Sequence, residues 1–180
     1  MDFELSDDQV ALQEAAQDLL DGLSDPLHVR AHMATGEDLD AALWRGMVEQ
    51  GWLGVAVPED RGGLGLGWVE AAVLLEQVGA HTAPVPLLGD LVAIDALLVA
   101  DHPAVDSLVA GDALGCVAWS RDPGAVAAEQ RGGDWVLNGR PDPVIGASCA
   151  DVAVVWTPEA VWAVDLGTLG RPARVIRGDA

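Results

Sequence analysis

The sequence contains no lysine, and its nine arginines face 29 acidic residues in a chain of 180. The formal net charge is −20, and it is uneven: residues 1–110 hold 20 acids against 3 arginines, and residues 111–180 hold 9 acids against 6. A negative field of this size repels the phosphates of nucleic acids and of anionic lipids. We therefore expect neither a nucleic acid partner nor a membrane partner.

Cysteines are few and long apolar runs are missing. Cys116 and Cys149 have no C-x-x-C spacing, which argues against a zinc site and against a disulfide framework, so we expect reduced, buried thiols. The longest apolar run, residues 91–100, is interrupted by Asp95 and is about half of what a membrane span needs. The N-terminus is acidic where a secretory signal is basic. These features predict a soluble, cytoplasmic protein.

Familiar catalytic motifs are also missing. The sequence has no G-x-S-x-G element and no Walker motif, and neither Ser120 nor Ser148 has a recognisable partner base. His28 and His32 have the i, i+4 spacing of a zinc pair, but valine replaces the glutamate of H-E-x-x-H, and Pro26 argues against a regular helix there. We interpret the two histidines as a solvated pair.

Helical periodicity dominates the first 110 residues. Ser6 and Gln9 have the spacing of a capping box, so a helix is predicted to begin here and to end before Pro26. Apolar residues then recur at helical spacing in four further segments. These predicted helices cover residues 35–50, 68–80, 86–100 and 103–109.

After residue 111 short valine- and tryptophan-rich runs alternate with glycine, proline and aspartate, which is typical of strands. The predicted strands cover residues 114–119, 125–130, 135–138, 152–156, 161–165 and 174–176. Strands that follow helices, and do not alternate with them, indicate an α+β fold. We predict an all-α helical bundle in residues 1–110, followed in residues 111–180 by a partial antiparallel β-barrel or sandwich.

The glycine-rich run at residues 62–67 invites comparison with a dinucleotide-binding loop. G-x-G-x-x-G requires a glycine three positions after Gly65 or Gly67, and those positions hold Trp68 and Glu70. A turn whose glycines adopt positive φ angles is the better interpretation.

Four tryptophans fall in the predicted strands or directly beside them, and their indole rings could stack on a planar ligand. Strand spacing favours core residues instead. They are Trp119, Trp135, Trp156 and Trp162.

Four stretches, taken in order, resemble the acyl-CoA dehydrogenase family. Residues 3–9 (F-E-L-S-D-D-Q) are similar to the entry into its first helix, and residues 51–65 (G-W-L-G-V-A-V-P-E-D-R-G-G-L-G) to its P-E-x-x-G-G-x-G signature. Residues 133–139 (G-D-W-V-L-N-G) and 150–155 (A-D-V-A-V-V) resemble a hairpin and a strand of its β-domain. The resemblance implies an N-terminal helical domain, residues 1–110, and part of the middle β-domain, residues 111–180.

The same resemblance implies FAD as cofactor, an acyl-CoA thioester as substrate and α,β-desaturation, an oxidation in lipid metabolism. In most members the glutamate that removes the α-proton belongs to a third, C-terminal domain, which these residues do not include. We therefore assign no catalytic residue.

Two flavin-contacting segments of the family are altered here. In place of T-E-P-x-x-G-S-D, residues 117–124 read V-A-W-S-R-D-P-G, and Ser120 replaces the threonine only if the alignment slips by one residue. In place of W-I-T stand Pro143, Val144 and Ile145. Trp119, Ser120, Val144 and Ile145 thus match flavin-contact positions with altered chemistry, and we expect that this chain alone does not bind FAD.

Three functions remain open. The chain is a portion or subunit of an FAD-dependent acyl-CoA dehydrogenase that is inactive alone, a flavin-free structural partner in a hetero-oligomeric member, or a truncated remnant without function. The first two imply a homo- or hetero-oligomer with another subunit of the family.

Overall fold

The computed structural model describes residues 4–167, so the strand predicted at residues 174–176 lies outside the described residues. Six α-helices precede five strands, and two 3₁₀ turns, Trp52–Gly54 and Glu59–Arg61, lie between the third and fourth helices. The helices are α1 (Asp7–Leu23), α2 (Pro26–Thr35), α3 (Ala41–Glu49), α4 (Trp68–Ala80), α5 (Leu87–Val99) and α6 (Ala104–Val109). The strands are β1 (Gly115–Ala118), β2 (Val126–Arg131), β3 (Asp134–Gly139), β4 (Val152–Trp156) and β5 (Val161–Asp165).

The predicted capping box begins α1. The Ser6 hydroxyl accepts from the Gln9 backbone N–H at 3.2 Å, and Gln9 Oε1 accepts from the Ser6 N–H at 3.0 Å. Gln9 also donates through Nε2 to Glu70 Oε1, 2.8 Å away at the start of α4. At the other end of both helices His81 Nε2 lies 3.0 Å from Asp21 Oδ1. Helices α1 and α4 therefore run side by side in the same direction.

Helix α2 corrects the sequence prediction, which ended the first helix before Pro26 and placed no helix between it and residue 35. Proline is compatible with the first helical position because its missing N–H has no partner in the first turn. Asp25 is the N-cap and accepts from the His28 N–H at 2.7 Å, and Gly36 ends the helix with φ +78°. Since α2 buries no residue completely, apolar periodicity could not reveal it.

The next helix begins later than predicted. We expected a start near residue 35, but α3 begins at Ala41, after the left-handed Gly36. Asp40 is its N-cap, and Oδ1 accepts from the N–H groups of Ala42 and Leu43, both at 3.1 Å. The other three predicted helices agree with α4, α5 and α6 to within one residue at each end.

The α+β class is confirmed, and the five predicted strands that fall within residues 4–167 are all present. Strands β2 and β3 form an antiparallel hairpin, and β4 pairs antiparallel with β5. Strand β1, however, pairs parallel with β4, so the antiparallel expectation is wrong for this pair. A parallel pair needs a long crossover, and the segment that contains the β2–β3 hairpin supplies it. The strands of the described residues form a three-stranded and a two-stranded sheet, not a closed barrel.

Contacts group the chain into two compact units. The first extends to Leu88 and includes Val109–Asp112; the second comprises Gly89–Leu108 and the chain from Ala113 on. The family domain boundary predicted at residues 110/111 stays a prediction. Among the helices of residues 4–167, none combines the length and the apolarity that a membrane crossing requires.

Each unit has its own buried residues. In the first, the fully buried large side chains come from α1, α3, α4 and the first 3₁₀ turn, and include Leu20, Leu43, Met47, Trp52, Leu53 and Leu74. In the second, Cys116, Ala150 and Ala153 form a small cluster that is flanked by partly buried residues of the sheet.

Candidate functional site

The glycine-rich loop of the first unit directs its backbone donors inward. The N–H groups of Gly63, Leu64, Gly65 and Leu66 donate to carbonyls of residues 54–58 at 2.8–3.1 Å. Gly62 and Gly65 adopt positive φ angles, as predicted for a turn. A phosphate-binding loop needs free N–H groups that converge on the ligand. The donors of these four residues are used within the loop, which gives the segment a structural role.

The two histidines of α2 both face the carboxylate of Asp40. His28 Nε2 lies 2.5 Å from Asp40 Oδ2, and His32 Nδ1 lies 4.0 Å from the same oxygen. The side chain of His32 is only 9% exposed, so the interpretation as a solvated pair is wrong for His32. Burial alone would raise the pKa of Asp40, but hydrogen bonds from His28, Leu43 and Ala42 outweigh it and lower that pKa.

These three residues do not form a metal site. No group of three or more His, Cys, Asp or Glu side chains within residues 4–167 has a geometry that could hold a metal ion. The cluster instead connects α2 with the start of α3, because Asp40, which both histidines face, is also the N-cap of α3.

A pocket of about 530 Å³ lies in the second unit, at one edge of the three-stranded sheet. Trp119 follows β1 directly, and Trp156 is the last residue of β4. Because β1 and β4 are parallel and Ala118 pairs with Val155, residues 119 and 156 lie at the same end of these two strands. The pocket is lined by these two residues together with Val92, Val117, Ser120, Asp122, Pro123, Ala125, Val126, Pro141, Thr157 and Pro158.

In the loop after β1, carboxylate oxygens accept hydrogen bonds from two backbone N–H groups. The Arg121 N–H donates to Asp142 Oδ2 at 3.1 Å, and the Gly124 N–H donates to Asp122 Oδ1 at 2.9 Å. On the other side of the pocket the Thr157 hydroxyl accepts from Trp162 Nε1 at 2.9 Å and donates to the Ala160 carbonyl at 3.1 Å. The polar groups around the pocket are therefore largely engaged within the protein.

The structure brings together two of the four predicted site residues. Trp119 and Ser120 line the pocket. Val144 packs against the Cys116 cluster, and Ile145 is 69% exposed. Neither of these two is a lining residue, so the second predicted segment, residues 143–145, does not line the pocket.

Sequence reasoning missed two features of this pocket. It treated the tryptophans as core residues, but Trp119 and Trp156 are 60% and 59% exposed. Trp135, which contacts Trp162 with ring centroids 4.9 Å apart, is also half exposed. It also missed the acids Asp122 and Asp142. Both tryptophans lie at the end of a predicted strand, and this position is the signal that could have identified them as pocket residues and not core residues.

Asp90 lies buried in the same unit and was not singled out in the sequence. It has no exposed surface, its Oδ1 accepts from the Gly115 N–H at 2.6 Å, and its Oδ2 has no hydrogen-bond donor within residues 4–167. Burial raises the pKa of Asp90 to about 7, against the smaller, lowering effect of the Gly115 hydrogen bond.

Neither cysteine forms a disulfide within residues 4–167; Cys116 is buried and Cys149 is partly buried. Burial, with smaller contributions from Cys149 and Asp90, raises the pKa of the Cys116 thiol to about 11. A thiol with so high a pKa is a poor nucleophile at neutral pH.

Comparison with known proteins identifies the relatives of this chain. Residues 6–99 match the sequence model of the acyl-CoA dehydrogenase N-terminal domain. The chain is similar to acyl-CoA dehydrogenase IpdE2 of Mycobacterium tuberculosis, with 33% identity over 150 residues that cover 81% of the chain and 43% of that protein. It thus spans less than half the length of this relative.

Two solved structures share the fold over nearly the whole chain. The ChsE4–ChsE5 complex of Mycobacterium tuberculosis has a TM-score of 0.82 with 28% identity, over 93% of this chain and 49% of the matched one. A Tcur3481–Tcur3483 steroid acyl-CoA dehydrogenase variant has a TM-score of 0.78 with 31% identity, over 88% and 48%. With the family model covering more than half of its residues, the chain belongs to the acyl-CoA dehydrogenase family.

Proposed function

We propose that the chain is the N-terminal half of an acyl-CoA dehydrogenase subunit that takes part in the α,β-desaturation of an acyl-CoA thioester together with a second subunit. We further propose that the chain alone neither binds FAD nor catalyses the reaction. The observation that carries this proposal is the chemistry of the pocket at the ends of β1 and β4.

The residues of this pocket do not fit a flavin dinucleotide. A flavin ring needs hydrogen-bond donors, and two backbone donors of the loop after β1 are taken by Asp142 and Asp122. A diphosphate needs cations or free N–H groups. The lining residues within the described chain include no lysine, arginine or histidine, and Asp122 adds a negative charge. We therefore derive no catalytic step from FAD at this pocket.

Desaturation removes two hydrogens from adjacent carbons of the acyl group, which requires a base and a hydride acceptor. We assign neither to a residue of this chain. What the chain supplies is a folded helical unit, stabilised by the loop at residues 54–66, and a sheet edge that carries two exposed indoles.

A second subunit is supported by the relatives with similar folds. One of them is described as a complex of ChsE4 with ChsE5, and another is named for two proteins, Tcur3481 and Tcur3483. The altered pocket favours the role of a flavin-free partner, in which a neighbouring subunit carries the cofactor. The role of a flavin-binding half-subunit would instead need the lost donors to be supplied from outside this chain.

The test is to purify the chain alone and also co-expressed with an acyl-CoA dehydrogenase subunit encoded beside it, and to measure flavin absorbance and mass by gel filtration. We expect no flavin on the chain alone and a flavin-containing complex after co-expression. A flavin-binding family member purified in the same way is the control. Stoichiometric flavin on the chain alone would contradict the proposed pocket chemistry, and failure to co-purify would contradict the proposed assembly.

A further inference from the structure

We propose that the pocket at the ends of β1 and β4 binds a neutral, planar ring system and rejects ligands that carry phosphate or another anion. This site goes beyond the proposed subunit role and does not depend on it, because all of its lining residues belong to the second unit of this chain.

Two indoles form the walls of the site. Trp119 follows β1 and Trp156 ends the parallel strand β4, each one position beyond the Ala118–Val155 pair, and both residues are more than half exposed. Burial of an aromatic side chain stabilises a protein strongly, and indoles prefer to stack on other flat rings. Two neighbouring tryptophans that remain open at a concave surface therefore favour a flat apolar ligand.

The size and the remaining lining suit a small molecule. A volume of about 530 Å³ falls within the range of pockets that hold compounds of drug size. Valine and alanine side chains line part of the surface, and three prolines, Pro123, Pro141 and Pro158, contribute further rigid apolar contacts. A ligand here gains free energy mainly from apolar contact, since few polar groups face it.

Charge decides which ring systems the site accepts. Asp122 is the charged residue among the lining residues, and only its Oδ1 has a hydrogen-bond donor within residues 4–167, the Gly124 N–H. The free oxygen places a negative charge at the site that repels anions. Of the lining hydroxyls, Thr157 is engaged within the protein, and only Ser120 is left to bond a polar ligand atom. The site therefore suits a neutral ring with at most a hydroxyl or carbonyl substituent.

The experiment compares two probes with the same ring by equilibrium dialysis against the 180-residue chain at pH 7. These are 2-naphthalenemethanol, which is neutral, and 2-naphthalenesulfonate, which is anionic; FAD is the third ligand. We expect saturable binding of the neutral probe at one site per chain, sulfonate binding weaker by about tenfold or more, and no binding of FAD. Equal binding of the two naphthalenes, or binding of FAD, would overturn the proposal.

Variants locate the site. Trp119→Ala and Trp156→Ala should each weaken binding of the neutral probe about tenfold, which corresponds to the loss of a stacking contact. Trp135→Ala, which removes a half-exposed indole outside the lining, is the matched control and should leave the affinity unchanged. If the tryptophan variants bind the probe as well as the parent chain does, the assignment is wrong.

Asp122→Asn tests the charge argument in a variant that should fold, because residue 122 is exposed and asparagine can still accept from the Gly124 N–H. The sulfonate should then bind several-fold more tightly while the neutral probe is unaffected. An unchanged sulfonate affinity would refute the selectivity. A neutral-probe affinity that falls as the chain dimerises with concentration would show instead that the pocket is an interface between two copies.

Discussion

Asp90 shows how strongly position determines the chemistry of one residue. Of the acidic residues of α5, Asp95 is exposed, whereas Asp90 is fully buried and has one oxygen without a donor in the described part of the chain. With its pKa raised to about 7, the folded protein holds a proton on this carboxyl at a pH where the unfolded chain has released it. The contribution of Asp90 to stability must then decrease as pH rises from about 4 to about 7, because this carboxyl binds more protons in the folded state over that interval.

We predict that Asp90→Asn removes this dependence. The parent chain should lose stability between pH 4 and 7, by an amount on the order of 2–4 kcal/mol. The variant should lack the part of that decrease that Asp90 causes, and it should be at least as stable as the parent at pH 8. Urea denaturation across this pH range measures the difference. Asp95→Asn, the same change at an exposed site, is the control and should keep the parent's profile.

His81 also contributes to the pH dependence of stability, so the stability of the parent must be compared with that of Asp90→Asn at each pH. A hydrogen bond with the Gln77 carbonyl, aided by Asp21 and opposed by burial, raises the pKa of His81. A raised histidine pKa also makes stability fall as pH rises, through the interval from the unfolded value to the folded one. Only the difference between parent and Asp90→Asn therefore isolates the buried carboxyl.

The loop at residues 54–66 shows that packing requires a glycine at position 63. A Cβ added at Gly63 would overlap the carbonyl oxygen and the Cβ of Val57, and that carbonyl is held by the Gly65 N–H, which donates to it at 2.8 Å. The glycine is required here by the close approach of two backbone segments. The signature is thus explained by packing within the loop, without a ligand.

We predict that Gly63→Ala destabilises the chain by about 2–4 kcal/mol, because the backbone must shift to admit the methyl group. Thermal unfolding followed by circular dichroism measures the change. Gly79→Ala in α4 provides the contrast, since nothing lies within 4 Å of its added Cβ. That substitution should stabilise the chain by about 0.5–1 kcal/mol, because alanine favours the helix. Equal effects at the two positions would contradict the steric argument.

Helix α2 illustrates what an element needs in order to be recognised. Its apolar residues Leu27 and Met33 are exposed by 73% and 67%, so no buried stripe marks it in the sequence. Its end signals were nevertheless present, with Asp25 and Pro26 at the start and Gly36 after the last residue. Pro26 thus begins a helix, as the first residue after the N-cap Asp25, and does not only end the preceding one.

The whole molecule is distinguished by its charge of −20, most of it in residues 1–110. Like charges on a compact chain repel one another, and salt screens that repulsion over a distance that shrinks from about 30 Å at 0.01 M to about 10 Å at 0.1 M. The folded state is more compact than the unfolded state and therefore gains more from screening.

We predict that the melting temperature rises by a few degrees when NaCl is increased from about 10 mM to about 100 mM. At low salt, Asp18→Asn, in the strongly acidic part, should raise it more than Asp134→Asn, which lies among residues 111–180. Choline chloride at the same concentrations separates screening from specific ion binding. A melting temperature that falls with salt would show that favourable ion pairs, and not repulsion, dominate.

The sequence by itself determined the class of the fold, most helix and strand limits, and the family. Capping residues, apolar periodicity and the glycine signature act over a few neighbouring residues, so they can be interpreted without a structure. The Ser6 and Gln9 capping box and the limits of α4 are of this kind.

Only the tertiary structure decided the candidate site. The parallel pairing of β1 with β4 brings Trp119 beside Trp156, and the folded loop brings Asp142 to the Arg121 N–H. Packing also buries Asp90 completely and leaves its Oδ2 without a donor among residues 4–167. These contacts join segments that are far apart in the chain, and their free energy depends on what the intervening residues bury, which no local spacing records.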